Sequence, residues 1–146
     1  MNESKLDVKK RAVIEIAENL FLSQGLATTE MKEIARCASI SRSTLYRMFD
    51  SRETLAFAVA DKCLHELFDP KPMEIYGTDR SGFEILRSYS SNLIETMIQG
   101  VRYVKYLSEF DQMFSGDYPD TPEARKYVQF NRQRHDRQIL LNILRL

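Results

Sequence analysis

The chain has 146 residues, 43% of them hydrophobic, which suffices for one packed domain, or a small domain with part of another, and excludes a wholly disordered chain. Lys plus Arg and Asp plus Glu each total 21, so the formal charge is zero and no global positive field points to a nucleic-acid partner. Up to Arg52 the balance is only +2, so any DNA affinity must come from local placement.

In chain order, apolar residues Ala12, Val13, Ile16, Ala17, Leu20 and Phe21 recur at three- and four-residue steps and predict a first helix from about Lys5 to Gln24, capped by Ser4 and ended by Gly25. Thr29 is the expected cap of a second helix with Met31, Ile34 and Ala35 inward, ending near Ala38. Ser41 caps a third, in which Leu45 and Phe49 form the inward i, i+4 pair. Thr29 to Phe49 thus reads as two short helices joined by a tight turn, the second carrying hydroxyl and basic groups on its outer face, which is the architecture of a major-groove reader. A fourth helix starts at Asp50 or Ser51 with Leu55, Ala58, Val59, Cys63, Leu64 and Leu67 along one face. The prolines and turn formers between Asp69 and Asp79 mark a break between two regions. A fifth helix, about Arg80 to Gln99, is expected to bury Phe83, Leu86, Leu93, Ile94 and Met97, and Gly100 separates it from an aromatic-rich sixth, Val101 to about Phe114. Thr121-Pro122-Glu123, a cap, an N1 proline and an acidic first turn, starts a last helix that runs on to the end of the chain. The expected fold is all-α.

The segment from Arg11 to Leu67 resembles the N-terminal DNA-binding domain of the TetR family of bacterial transcriptional regulators. The likeness is an ordered pattern: the apolar stripe ending in Phe21, the Gly25 turn, the threonine, Glu33-Ile34-Ala35, Ser39-Ile40-Ser41, Thr44-Leu45-Tyr46, Phe49, Ser51-Arg52-Glu53 and Leu55. Two positions depart from it, Ser39 where the family commonly has glycine and Arg52 where it commonly has lysine. The resemblance implies a repressor-like homodimer, a third helix in the major groove of a palindromic double-stranded operator, and a C-terminal helical region that dimerises and holds a small effector. The corresponding division is residues 1–52 as helix-turn-helix domain and 53–146 as ligand-binding and dimerisation region, with helix 53–69 as connector.

Chemistry assigns roles within that frame. Arg42 and Arg47 are the candidates for base readout, since a guanidinium donates bidentately to guanine O6 and N7. Thr29, Ser41, Tyr46 and Arg52 suit phosphates, Lys32 suits either, and Ser43 and Thr44 supply further hydroxyls on or beside the outer face. Lys5, Lys9, Lys10 and Arg11 form either a backbone-contacting arm or ordinary solvated surface.

The aromatic and methionine series Tyr103, Tyr106, Phe110, Met113, Phe114, Tyr127 and Phe130 is first a core and secondly the wall of an effector pocket for an apolar or aromatic molecule, with Asn131 and His135, besides Asn92 and Gln112, as its polar groups. Cys37 and Cys63 lack CxxC or Cys/His spacing and are expected as small buried hydrophobes, and His65 and His135 lack metal-ligand companions. No phosphate loop, HExxH or nucleophile motif is present, so neither an enzyme nor a cofactor is expected. MNESKLDVKK has no apolar targeting core and no run approaches ~18 apolar residues, so a cytoplasmic protein without a membrane partner is expected.

TetR-family members commonly continue with further helices that make the dimer, whereas this chain stops after ILLNILRL, whose Ile139, Leu140, Ile143 and Leu144 require a partner. A truncated gene, an unusually short regulator and a dimer built by the last helix are the competing explanations. The rival function is a helical protein-interaction module that keeps the fold and associates through that segment.

Overall fold

The computed structural model describes residues 4–68, 81–116 and 118–133, and these form seven α-helices and no strand. They are α1 (Lys5–Gln24), α2 (Met31–Cys37), α3 (Arg42–Met48), α4 (Arg52–Phe68), α5 (Gly82–Gln99), α6 (Val101–Phe114) and α7 (Pro122–Gln133).

Local chemistry explains most boundaries. Ser4 and Asp7 form a capping box at the start of α1, and Gly25 ends it at φ +98°, its N–H donating to the Phe21 carbonyl at 2.9 Å. Ser41 Oγ accepts from the Thr44 N–H and Ser51 Oγ from the Thr54 N–H, both at 3.1 Å, which caps α3 and α4. Thr121 Oγ1 accepts from the Ala124 N–H at 3.2 Å ahead of α7. The second helix corrects the expectation. Thr29 is fully buried and its hydroxyl donates to the Gly25 carbonyl at 2.8 Å, so Glu30 becomes the N-cap, with no side-chain cap bond. The end of α2 is a Schellman motif, in which the Ser39 N–H donates to the Arg36 carbonyl and the Ile40 N–H to that of Ala35, with Ser39 at φ +52°.

Val13, Ala17 and Phe21 of α1 pack with Ile34 and Ala35 of α2 and with Leu45 and Phe49, all buried, so the third helix is anchored as its i, i+4 pair requires. Ala12 lies outside this stripe and is exposed. The central element is α4. The sequence indicates one apolar face, yet Thr54, Ala56, Phe57 and Ala60 are buried as well as the expected set, because α1, α6 and α7 all pack on this helix. Buried Glu18 of α1 pairs with Lys62 of α4, so the charge this contact removes from water is compensated.

The fifth helix contradicts its expected burial. Its capping box, Ser81 with Glu84, forms, but Phe83, Leu86, Ile94 and Met97 are exposed and Leu93 is half-buried, since α5 meets little besides α6 among the described residues. Gly100 joins α5 to α6 where a Cβ would sit 2.3 Å from Leu67 Cδ2, so glycine lets the junction approach α4. Beneath it, Phe57 of α4 meets Phe110, Phe114 and Tyr127 at centroid separations of 4.8, 5.1 and 5.8 Å. Cys37 is also corrected: it is exposed, lying off the Met31, Ile34 and Ala35 face, while Cys63 is buried as expected. The proposed break at 69–79 and the apolar end segment, with His135, Ile139, Leu140, Ile143 and Leu144, lie outside the described residues.

Candidate nucleic-acid interface

The third helix turns one face inward through Leu45 and presents Arg42, Ser43, Tyr46 and Arg47 to solvent, with Thr44 half-buried at the edge. A hydroxyl chain fixes the start of that face. Ser41 Oγ lies 3.0 Å from Ser43 Oγ and 2.8 Å from Thr44 Oγ1, and Arg47 Nη2 donates to Thr44 Oγ1 at 3.3 Å. The Arg47 guanidinium is thereby drawn back over the first turn, while Arg42 projects from the helix start as an exposed cation.

Lys32, in the first turn of α2, is exposed and held 2.8 Å from the Glu30 carboxylate. Hydrogen bonding to Lys32 and its charge hold the Glu30 carboxyl below its ordinary value, opposed by desolvation and aided least by the charge of Arg42. Arg52 is half-buried, and its Nη1 donates to the Ala27 carbonyl at 3.3 Å. On the other side of that residue the Ala27 N–H donates to Glu109 of α6 at 3.2 Å. Of the basic arm, Lys10 lies 5.7 Å from the centroid of the Phe49 ring, while Lys5, Lys9 and Arg11 are exposed. Thr29 is removed from the set of phosphate-facing groups by its burial and its bond to Gly25.

Sequence reasoning missed Glu30 and Glu109. The first carried a signal, an acid two positions from Lys32; the second reaches the head from 82 residues away and carried none.

In the C-terminal half, Tyr106, Phe110 and Tyr127 are buried among one another, and the Tyr106 hydroxyl donates to the Ala56 carbonyl at 2.9 Å. Tyr103, Phe114 and Phe130 are half-buried, Phe130 with its ring centroid 3.8 Å from that of His65, and Met113 and Asn131 are exposed. An open groove of about 500 Å³ runs between Leu64, Leu67, Met97, Val104, Leu107, Asp111, Gln112, Tyr127 and Asn131, so among the described members of the expected pocket set only Tyr127 and Asn131 line it, with Gln112. No group of three potential metal ligands occurs among the described residues, and none of their helices is long and apolar enough to cross a membrane.

Residues 13–59, which hold α2, α3 and their anchors, match the family model described as bacterial regulatory proteins, tetR family. A helix-turn-helix transcriptional regulator of Mycobacterium tuberculosis is 50% identical to the chain over 46 residues, covering 32% of this chain and 23% of the relative. The transcriptional repressor KstR2 of Rhodococcus jostii is 33% identical over 60 residues, 41% of this chain and 29% of that one. The chain therefore covers less than a third of the length of these curated relatives. Among solved structures, the ketosteroid transcriptional regulator KstR2 of Mycobacterium tuberculosis superposes with a TM-score of 0.61 at 20% identity, covering 99% of this chain and 68% of that one. A TetR family regulator of Marinobacter aquaeolei gives 0.59 at 20% identity, covering 95% and 66%. At that identity the likeness is one of fold, and it extends beyond residues 13–59 into the helices that follow.

Proposed function

We propose that this chain acts as a sequence-specific DNA-binding transcriptional regulator of the TetR type, a repressor that reads a palindromic operator as a homodimer and releases it when a small apolar or aromatic molecule displaces α4. The observation that carries the reading is the outer face of α3, where Arg42, Ser43, Tyr46 and Arg47 stand exposed on a helix locked by Leu45 and Phe49. A short helix held in this way fits the major groove, Arg42 and, once it leaves Thr44, Arg47 are the candidates for base edges, and Ser41, Thr44, Tyr46, Lys32 and Arg52 are the candidates for the phosphates on either side. Two such heads require half-sites about one helical turn, ~34 Å, apart or a multiple of it. Because α4 lies between the head and α6 and α7, a shift of α4 changes that separation. The effector is assigned to the 64–131 groove and the adjoining aromatic residues, and the cytoplasm is the compartment in which such a protein works.

Selection from a random duplex library tests the reading. Enrichment of a palindromic site is expected, and Arg42→Ala should relax selection at one base position at a cost of ~1–3 kcal/mol, whereas Arg52→Ala should weaken all sequences alike. A folded, dimeric protein that enriches no palindrome would sink the proposal.

A further inference from the structure

Glu30 is an acid on a surface proposed to meet the polyanion of DNA, and its geometry ties it to a cation there. It occupies the N-cap position of α2 but does not cap, since its side chain makes no bond to the first-turn N–H groups. It turns instead to Lys32, with the carboxylate oxygen 2.8 Å from Nζ and both side chains more than 60% exposed. Arg42, at the start of α3, adds only a minor charge effect on the same carboxylate. One carboxylate thus holds a proposed phosphate-binding cation.

We infer that Glu30 is an internal competitor for DNA: it holds Lys32 in the unbound protein, and a phosphate has to displace it before that cation can join the contact. This rests on the DNA-binding reading above. The competitor sets how tightly the head holds DNA of any sequence. Backbone contacts supply most non-specific affinity, so an acid that neutralises one of those cations lowers that affinity while leaving Arg47 on the reading face untouched. A regulator gains discrimination when its sequence-independent binding is kept weak.

The test is anisotropy titration of a labelled random-sequence duplex with the wild-type chain, Glu30→Gln, Lys32→Ala and the double variant, at low and high salt. Glu30→Gln keeps the side chain's size and loses no cap, so its thermal unfolding should match the wild type. It should bind random duplex ~3- to 10-fold more tightly at low salt, with the gain shrinking as salt screens the charges. In the Lys32→Ala background the same change should gain less, because the interaction runs through Lys32. Unchanged or weaker binding by Glu30→Gln beside a wild type that binds would overturn the competitor while leaving the regulator reading intact. A wild type that binds no duplex at low salt would overturn both.

Discussion

Ser39 is the one non-glycine residue with positive φ among the described residues, at +52° in the C′ position of the Schellman turn that aims α3. A Cβ in that conformation costs about 1–2 kcal/mol, partly offset because serine has less freedom than glycine to lose from the unfolded chain. Ser39→Gly is therefore expected to stabilise by up to ~1 kcal/mol, read as a higher denaturant midpoint with an unchanged slope. A lower midpoint would mean that the serine hydroxyl contributes something this geometry does not account for. The same scale shows where residue type misleads. Thr29 and Glu30 are adjacent, and the one with the better capping chemistry was expected to cap α2, but Gly25 ends α1 with its carbonyl within reach of the Thr29 hydroxyl and takes it first. Side-chain preference ranks caps; the path of the preceding turn decides between neighbours.

The element most dependent on tertiary packing is α4. Phe57 sits where the α4 backbone meets α6 and α7, its ring against Phe110, Phe114, Tyr118 and Tyr127. Phe57→Ala should cost ~3–5 kcal/mol, a loss comparable to the whole stability of a small domain, and circular dichroism should show unfolding at a markedly lower denaturant concentration. Retained wild-type stability would mean that the cluster is not the fastening between head and body. Helices α1, α3 and α6 and the start of α7 were legible because their apolar positions recur with the helical period and, for α1, α3 and α7, because the capping side chain lies within four residues. Burial was not legible in the same way. Phe83, Leu86 and Ile94 recur with the same period as Val13, Ala17 and Phe21, but a stripe states only that a helix has a side, not what covers it. Conversely Phe57 and Ala60 fall outside the stripe of α4 and are buried because α1, α6 and α7 all pack on that helix.

For the molecule as a whole the two cysteines report opposite states. Cys63 is buried between α4 and its neighbours, and desolvation pushes its thiol up to about 12, so it stays protonated and shielded; Cys37 is exposed. A small alkylating reagent at mildly alkaline pH should add one group to the native chain, at Cys37, and a second only when the whole fold opens, as mass spectrometry after partial denaturation would show. Rapid double labelling of the native chain would place α4 among locally opening elements. The exposure of Arg42, Ser43, Tyr46 and Arg47 was legible from the inward pair Leu45 and Phe49, whereas the contact of Glu109 with Ala27 depends on how residues far apart in sequence fold together.

That contact has a mechanical meaning. The N–H of Ala27 is grasped from α6 and its carbonyl from α4, so only the two soft dihedrals of one residue lie between the grips. Were α4 and α6 to move relative to each other with both bonds kept, the difference would fall on the turn between α1 and α2 as a twist about Ala27, at the entry to α2 and α3.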